Sequence, residues 1–481
     1  MQGLDLTSVA SLLVTAFEVL ALAFIPLVLL RKKEPASTFA WIFVLLAFPA
    51  LGVVLFWYLG RDRIRRPVRV RKQVNEPLRA KLRDRVSGSV SEGARKTVID
   101  EAPAELRGVM RLAARMGRAE VRPGNAVEVL VGAPATYAAL EAAIEAARDH
   151  VHLQYYVFRA DEAGGRIVRA LERARERGVE VRLLYDAFGS AGLGPRLRSL
   201  RKKGGRSAAF FPLDPIRRAA TINLRNHRKL VVVDGKVGLC GGVNVSDRFV
   251  GWRDVHLRVE GPAVAQLAAV FAEDWFFATR EDLVDPRYVP DPPPAGATTM
   301  QIVESGPDQT LERIHRLYFA AIAAAQERVW VTTPYFVPDR AIFMALTTAA
   351  ARGVDVRLLT NARSNWGLTQ HAGRSFYEEL LAAGVRILEY EGERGAMLHT
   401  KTLVVDGRFA TVGSANLDVR SFRLNFELIA VLYDAGLVRQ LEGLFTEDAA
   451  HAREVLPAAW EKRSHGARLL ESIGRLMSPL L

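Results

Sequence analysis

Cysteine is almost absent from this chain: Cys240 is the only one in 481 residues. A single thiol cannot close an intrachain disulfide, so a disulfide-built scaffold is excluded. The nine histidines show neither H-x-x-E-H nor H-E-x-x-H spacing, and with one cysteine a zinc site has no obvious ligand set. Met1 to Val9 carries no Lys or Arg, and no small-residue cleavage site follows the first apolar run. Both absences argue against a cleaved signal peptide. Acidic residues are in deficit: 53 Asp and Glu against 66 Lys and Arg give a formal net charge of +13. Such a chain is drawn to anionic lipid or to nucleic acid.

What is present is one short pattern, twice. His227-Arg228-Lys229 is followed by Asp234, and His399-Thr400-Lys401 by Asp406, each an H-x-K-x4-D. Both copies continue at the same distance into a small-residue turn ending in asparagine, Gly241-Gly242-Val243-Asn244 and Gly413-Ser414-Ala415-Asn416. Strand alternation explains why His227 and Lys229 share a face. It does not explain a matching turn and asparagine after each copy.

The copies sit in a longer repeat. Val181 to Leu184 matches Val356 to Leu359, each after a Gly-Val pair, and Phe271 to Asp274 matches Phe445 to Asp448. Each half reads strand, helix, strand, helix, strand, then the motif strand, which predicts an α/β fold of two similar halves packed about a pseudo-twofold axis. The boundaries on this reading are an N-terminal hairpin over 1–60, a basic segment over 61–120, halves over 121–288 and 300–450, a Pro-rich linker over 289–299 and a tail over 451–481.

The residue types suit phosphodiester chemistry. One imidazole attacks phosphorus to give a phospho-histidine, while the other protonates the departing alcohol and later deprotonates the incoming one. Histidine suits both tasks because its unperturbed pKa is about 6.5. Lys229 and Lys401 would hold the phosphate oxygens, with Asn244, Asn416 and backbone N–H groups of Gly241, Gly242, Gly413 and Ser414. This chemistry requires no metal. Each histidine also needs an orienting carboxylate. Asp234 and Asp406 are candidates but lie about seven residues away, roughly 23 Å along a strand, a distance better suited to a turn. Asp254 and Glu427, at nearly equal offsets beyond the two histidines, are more attractive, with a solvated strand end as the alternative.

The doubled motif resembles the phospholipase D superfamily. Thr332 to Val337, Leu398 to Lys401, Asn416 to Ser421 and Leu424 to Glu427 are similar to bacterial cardiolipin synthases of the long, two-span type, and the similarity runs through essentially the whole chain, to Ser478-Pro-Leu-Leu481. The resemblance implies two phospholipase D-like domains sharing one site, His227 as nucleophile and His399 as general acid, and histidine-pairing acids at Asp254 and Glu427. It implies a transesterification of two phosphatidylglycerols to cardiolipin and glycerol, without nucleotide or redox cofactor. Tyr156 and Tyr335 stand either in the pocket or in the core. A phospholipase D that admits water, a nucleic-acid phosphodiesterase and a catalytically dead scaffold are the competing functions.

The N-terminus speaks to location. Ser8 to Leu30 is apolar except for Glu18, and at about 1.5 Å per residue it reaches roughly 35 Å, enough for a hydrocarbon core of about 30 Å. A second apolar run, Thr38 to Leu59, completes a predicted transmembrane hairpin, with Trp41, Trp57 and Tyr58 as interfacial aromatics. Arg61, Arg63, Arg65, Arg66, Arg69, Arg71 and Lys72 outweigh Arg31, Lys32 and Lys33 in the turn, so the positive-inside rule puts the body in the cytoplasm. With the resemblance, that means a bacterial inner membrane with phospholipid partners and no nucleic acid. The tail residues Leu469, Leu470, Ile473, Leu476 and Met477 recur at helical spacing, as an interfacial helix or a core helix would. Oligomeric state, lipid specificity and the function of the Arg79 to Arg118 segment stay open.

Overall fold

The computed structural model describes residues 6–30, 35–56, 65–87, 92–117, 119–212, 223–309, 311–392 and 396–478. Two compact units emerge, Met1–Pro67 and Val68–Leu481.

Among its described residues the first unit holds the helices α1 (Leu6–Leu29), α2 (Pro35–Ala47) and α3 (Pro49–Leu55). They enclose a small cluster of Ala21, Val28, Leu45, Val53 and Phe56, with Phe24 and Trp41 edge-on to the Phe56 ring. The single second span expected over Thr38 to Leu59 is instead two helices. Pro49 has no N–H for the helical ladder and its ring crowds the preceding turn, so the chain breaks at Phe48. Among the described residues no helix is long and apolar enough to cross a membrane. Arg31, Lys32, Lys33, Trp57, Tyr58, Arg61, Arg63 and the side chains of Ser8 to Val14, Arg65 and Arg66 lie outside the described residues, as do Pro479, Leu480 and Leu481.

The second unit takes in most of a helix, α4 (Arg65–Ser87), and is built on one large sheet with a two-stranded one beside it. Its first set of strands is β1 (Arg122–Val131), β2 (His150–Tyr155), β3 (Glu180–Asp186), β4 (Arg206–Phe210), β5 (Arg225–Asn226), β6 (Leu230–Val233), β7 (Val237–Gly241) and β8 (Val255–Glu260). The second is β9 (Thr298–Ser305), β10 (Arg328–Thr332), β11 (Phe336–Val337), β12 (Asp355–Asn361), β13 (Arg386–Tyr390), β14 (Thr402–Val405), β15 (Phe409–Gly413), β16 (Leu417–Asp418), β17 (Asn425–Leu432) and β18 (Ala452–Glu454). From the centre outward the order is β1-β8-β7-β6-β2-β3-β4 on one side and β9-β17-β15-β14-β10-β12-β13 on the other, with β18 beyond β13. The two lists are the same series of repeat-equivalent strands, joined by the antiparallel β1–β9 pair. The two-half α/β fold read from the repeat is the fold observed.

Local chemistry explains the motif strands. β6 is a run of Leu and Val and β14 the same after Thr402, both buried along their whole length, and each turns back through an Asp-Gly pair toward β7 or β15. Asp234 and Gly235 have φ of 51° and 62°, Asp406 and Gly407 52° and 65°. Val233 pairs with Val237 and Val405 with Phe409, so three residues link each pair of strands. The Lys236 and Arg408 N–H groups donate to the Val233 and Val405 carbonyls, closing a turn over two successive left-handed residues, a conformation that Asp-Gly is among the pairs to accept.

Two sequence expectations meet the fold differently. Arg71, read as part of a lipid-facing basic block, is buried, whereas Lys72 beside it is exposed. The tail helix His465–Met477 buries Glu471 and Gly474 and leaves Leu469, Leu470, Ile473, Leu476 and Met477 exposed, so they are not core residues. Gly474 permits its close crossing: a Cβ there would stand 2.6 Å from the Ala372 backbone nitrogen.

Candidate active site

The two motif histidines are held by crossed partnerships. His227 follows β5, which pairs in parallel with the start of β17, and its N–H donates to the Phe426 carbonyl at 2.9 Å. His399 precedes β14, and its N–H donates to the Arg253 carbonyl at 2.6 Å. Each histidine is thereby laid beside the acid-bearing segment of the opposite half. His227 Nδ1 lies 3.0 Å from Glu427 Oε2 and 3.1 Å from the Ser414 carbonyl, and His399 Nδ1 lies 2.6 Å from Asp254 Oδ2. Carboxylates and carbonyls only accept, so both Nδ1 atoms carry the proton and both Nε2 atoms keep a lone pair.

Charge in this cluster is strongly perturbed. Burial pushes both imidazoles down, His399 to about 3, so they rest neutral. Burial also pushes Lys229 down to about 7 and Lys401 to about 8, against the attraction of Glu427 and Asp254. For the carboxylates burial works upward, but it is outweighed: Lys401 and His399 hold Asp254 below its ordinary range, as His227 and Lys229 do Glu427. Lys401 also lowers His227, and Lys229 lowers His399, so the charges of the two motifs act on one another. Lys229 Nζ donates to the His227 carbonyl at 2.7 Å, and Lys401 Nζ to that of His399. Each ammonium keeps further donors.

The remaining predicted residues divide. Asp234 and Asp406 are not with the histidines. Asp234 accepts the N–H groups of Arg148, Asp149 and His150, and Asp406 those of Gln326, Glu327 and Arg328, so each ties its hairpin to the start of β2 or β10. A catalytic assignment does not fit that placement. The phosphate grip expected from the glycine turns also fails for two of its donors. The N–H groups of Gly242 and Ser414 are given to the Val255 and Leu428 carbonyls, because the turns remain in the sheet ladder.

These small residues serve close packing instead. A Cβ on Gly241 would stand 2.6 Å from His256 Cα, and one on Gly413 2.4 Å from the Leu428 carbonyl oxygen. At Gly242 a Cβ would lie 2.1 Å from Asp254 Oδ1. Ser414, at the equivalent position, donates through its hydroxyl to Glu427 Oε2 at 2.5 Å, and Asn425 donates to Glu427 Oε1 at 3.0 Å. Asn244 Oδ1 accepts the Val157 N–H at 3.1 Å, while Asn416 Oδ1 is buried without a hydrogen-bond partner among the described residues. The Tyr156 ring packs edge-on to His227 at 4.7 Å and Trp252 lies 5.3 Å from His399. Tyr335 donates to Asn365 at 2.7 Å.

A family model described as cardiolipin synthase, PLD-like domain, matches residues 140–275 and 318–449, one segment around each motif. The chain belongs to the cardiolipin synthase family. It is thus a phosphatidyltransferase of the phospholipase D superfamily. Curated relatives agree over nearly the whole length. A cardiolipin synthase of Geobacillus kaustophilus is 39% identical over 95% of this chain and 92% of its own. One of Geobacillus thermodenitrificans is 38% identical over 100% of this chain and 95% of its own, and cardiolipin synthase 1 of Bacillus anthracis is 36% identical over 94% and 91%. Among solved structures, the phosphatidylserine synthase of Haemophilus influenzae shares the fold with a TM-score of 0.60 at 14% identity, over 78% of this chain and 100% of that one.

Sequence reasoning missed four residues that shape this cardiolipin synthase-family site. Asp186 and Asn361 end β3 and β12 at the same offset in the repeat. Asp186 Oδ2 accepts the Asn226 N–H at 2.9 Å, and Asn361 takes both the N–H and the carbonyl of Leu398, at 2.9 and 2.8 Å. Each thereby fixes the residue before a histidine. Burial raises Asp186 to about 6. Arg228, the variable residue of the first motif, is wholly buried and pairs with Asp274 and Glu304 at 2.7 and 3.1 Å. Asp274 was noted only as a repeat marker. The repeat alignment was the signal available for Asp186, Asn361 and Asp274.

Proposed function

We propose that the chain makes cardiolipin and glycerol from two phosphatidylglycerol molecules in one double-displacement site shared by the halves 121–288 and 300–450. The observation that carries this reading is the pair of crossed dyads, His227 with Glu427 and His399 with Asp254. A neutral imidazole whose Nδ1–H is fixed by a carboxylate presents Nε2 as a nucleophile or a base.

In the first displacement His227 Nε2 bonds to the phosphorus of one phosphatidylglycerol, and the bond to the headgroup glycerol oxygen breaks. His399, protonated as the anionic diester enters, gives its proton to that oxygen, releasing glycerol. In the second, His399 takes the proton from a headgroup hydroxyl of another phosphatidylglycerol. Its oxygen attacks the phosphatidyl-histidine, forming cardiolipin and freeing His227. The phosphate oxygens face Lys229 and Lys401, whose depressed pKa values rise toward the ordinary lysine range when an anion arrives. Asn244 and Asn416 turn their amides toward the same oxygens.

The N-terminal unit is read as the membrane anchor, with the body on the cytoplasmic side. Support comes from exposed Phe39, Phe43, Leu46, Phe48 and Leu51, an apolar surface that water would not retain. The test is an assay of the purified protein with labelled phosphatidylglycerol, beside His227→Ala and His399→Ala. Cardiolipin and free glycerol in equal amounts, lost in both variants, supports the reading. Phosphatidic acid as the sole product would make the chain a hydrolase.

A further inference from the structure

The first motif is braced by a side chain from outside both halves. Arg71, on α4, is fully buried. It donates to Asp274 Oδ1 at 2.5 Å and to Asp308, and its guanidinium lies 4.4 Å from the centroid of the Phe426 ring. Two of these contacts lead to His227. The Phe426 carbonyl accepts the His227 N–H, and the next residue is Glu427, the carboxylate on His227 Nδ1. The second oxygen of Asp274 accepts from Arg228 at 2.7 Å and Asn226 at 3.1 Å, the residues on either side of His227.

The pseudo-symmetry shows that this brace is an addition. In the repeat Asp448 corresponds to Asp274, Arg253 to Phe426 and Thr400 to Arg228. Asp448 pairs at 2.6 Å with Arg253, whose carbonyl accepts the His399 N–H. The second dyad therefore has its arginine on the segment beside its histidine. The first has Phe426 at that position, and the cation on the open side of Asp274 is brought by α4. Asn75 and Arg79, one and two turns along, reach Glu273 from the same face of α4. An arginine suits this task because its planar fork spans two carboxylates while its face rests on a ring.

We propose that Arg71 is a positioning residue for the first motif, which holds Asp274 and Phe426 so that His227 meets Glu427, and that α4 is therefore part of the catalytic body. This rests on the nucleophilic role assigned to His227 above. The test uses the full-length protein with Arg71→Met and Arg71→Lys, measuring thermal melting, kcat and KM on phosphatidylglycerol vesicles. The rates of His227 and His399 carbethoxylation by diethyl pyrocarbonate are read beside them by peptide mass. That modification needs no lipid turnover, so it judges the positioning even where the lipid assay overturns the proposed reaction.

Arg71→Met is expected to lower kcat by about 10²-fold, the scale of a small misplacement of a reacting group, with KM little changed. His227 modification slows while His399 modification does not. Arg71→Lys, which keeps the charge but not the fork, falls between. Wild-type kcat and wild-type His227 modification in folded Arg71→Met would overturn the proposal. If that variant fails to fold, Arg71→Lys decides: wild-type rates overturn it, and slowed His227 chemistry at unchanged KM upholds it.

Discussion

Gly242→Ala is the sharpest perturbation the geometry offers. The added methyl group would stand 2.1 Å from Asp254 Oδ1 and 2.8 Å from both Cγ and Oδ2, where ordinary contact begins at about 3.4 Å. Asp254 must retreat by more than an ångström, since Gly242 is fixed in the ladder by its N–H to Val255. The carboxylate has no slack, being bonded to His399 Nδ1 at 2.6 Å and to the Val255 N–H at 2.8 Å. A shift of about 1 Å at a reacting group costs about 10²-fold in rate, near 2.7 kcal/mol of transition-state stabilisation. Overpacking adds about 1–3 kcal/mol of destabilisation. The assay is cardiolipin formation from phosphatidylglycerol vesicles, with the urea midpoint as a control for folding. Ser414, at the equivalent position beside the longer Glu427, shows that a side chain is tolerated in the other half, so the expected loss belongs to the Asp254 dyad. A folded Gly242→Ala protein with wild-type kcat would refute this account of why glycine stands there.

The other predictions are briefer. Ser414→Ala removes a donor to Glu427 and the acceptor of the Leu428 N–H, so a loss of about 1–3 kcal/mol is expected in denaturant titration, together with slower turnover. Burial holds Lys229 at about 7 and Lys401 at about 8, so anion binding near pH 8 should draw protons from solution. Calorimetry in two buffers of different ionisation heat measures the uptake, and a buffer-independent enthalpy would sink the idea. The same lysines bind protons in the unfolded chain up to about pH 10.4. Their stabilising contribution is therefore present above that value and is lost as pH falls through about 8 and 7, which ligand-free urea midpoints across this range should follow. Cys240 is buried and its thiol is pushed up to about 12 by that burial, so a thiol reagent should label it only on unfolding.

The sequence alone determined what repeats along one chain. The doubled motif, the matching turns and the shared offsets of Asp254 and Glu427 were legible because strand alternation and turn chemistry act between near neighbours. The Asp-Gly hairpins belong to the same class: their distance from the histidines already favoured a turn, and the positive φ angles agree. Tertiary structure decided which acid meets which histidine. His227 and Glu427 are 200 positions apart, His399 and Asp254 145, and no local rule reaches that far. It also decided the fate of charge. Arg71 looked like its basic neighbours in sequence, yet it is buried because Asp274 and Asp308 wait where α4 docks, and a buried cation is stable only where carboxylates already stand. The glycine turns looked like anion grips, but the sheet ladder had first claim on the N–H groups of Gly242 and Ser414. Spacing announces which residue types come together; only packing assigns each donor, charge and carboxylate its partner.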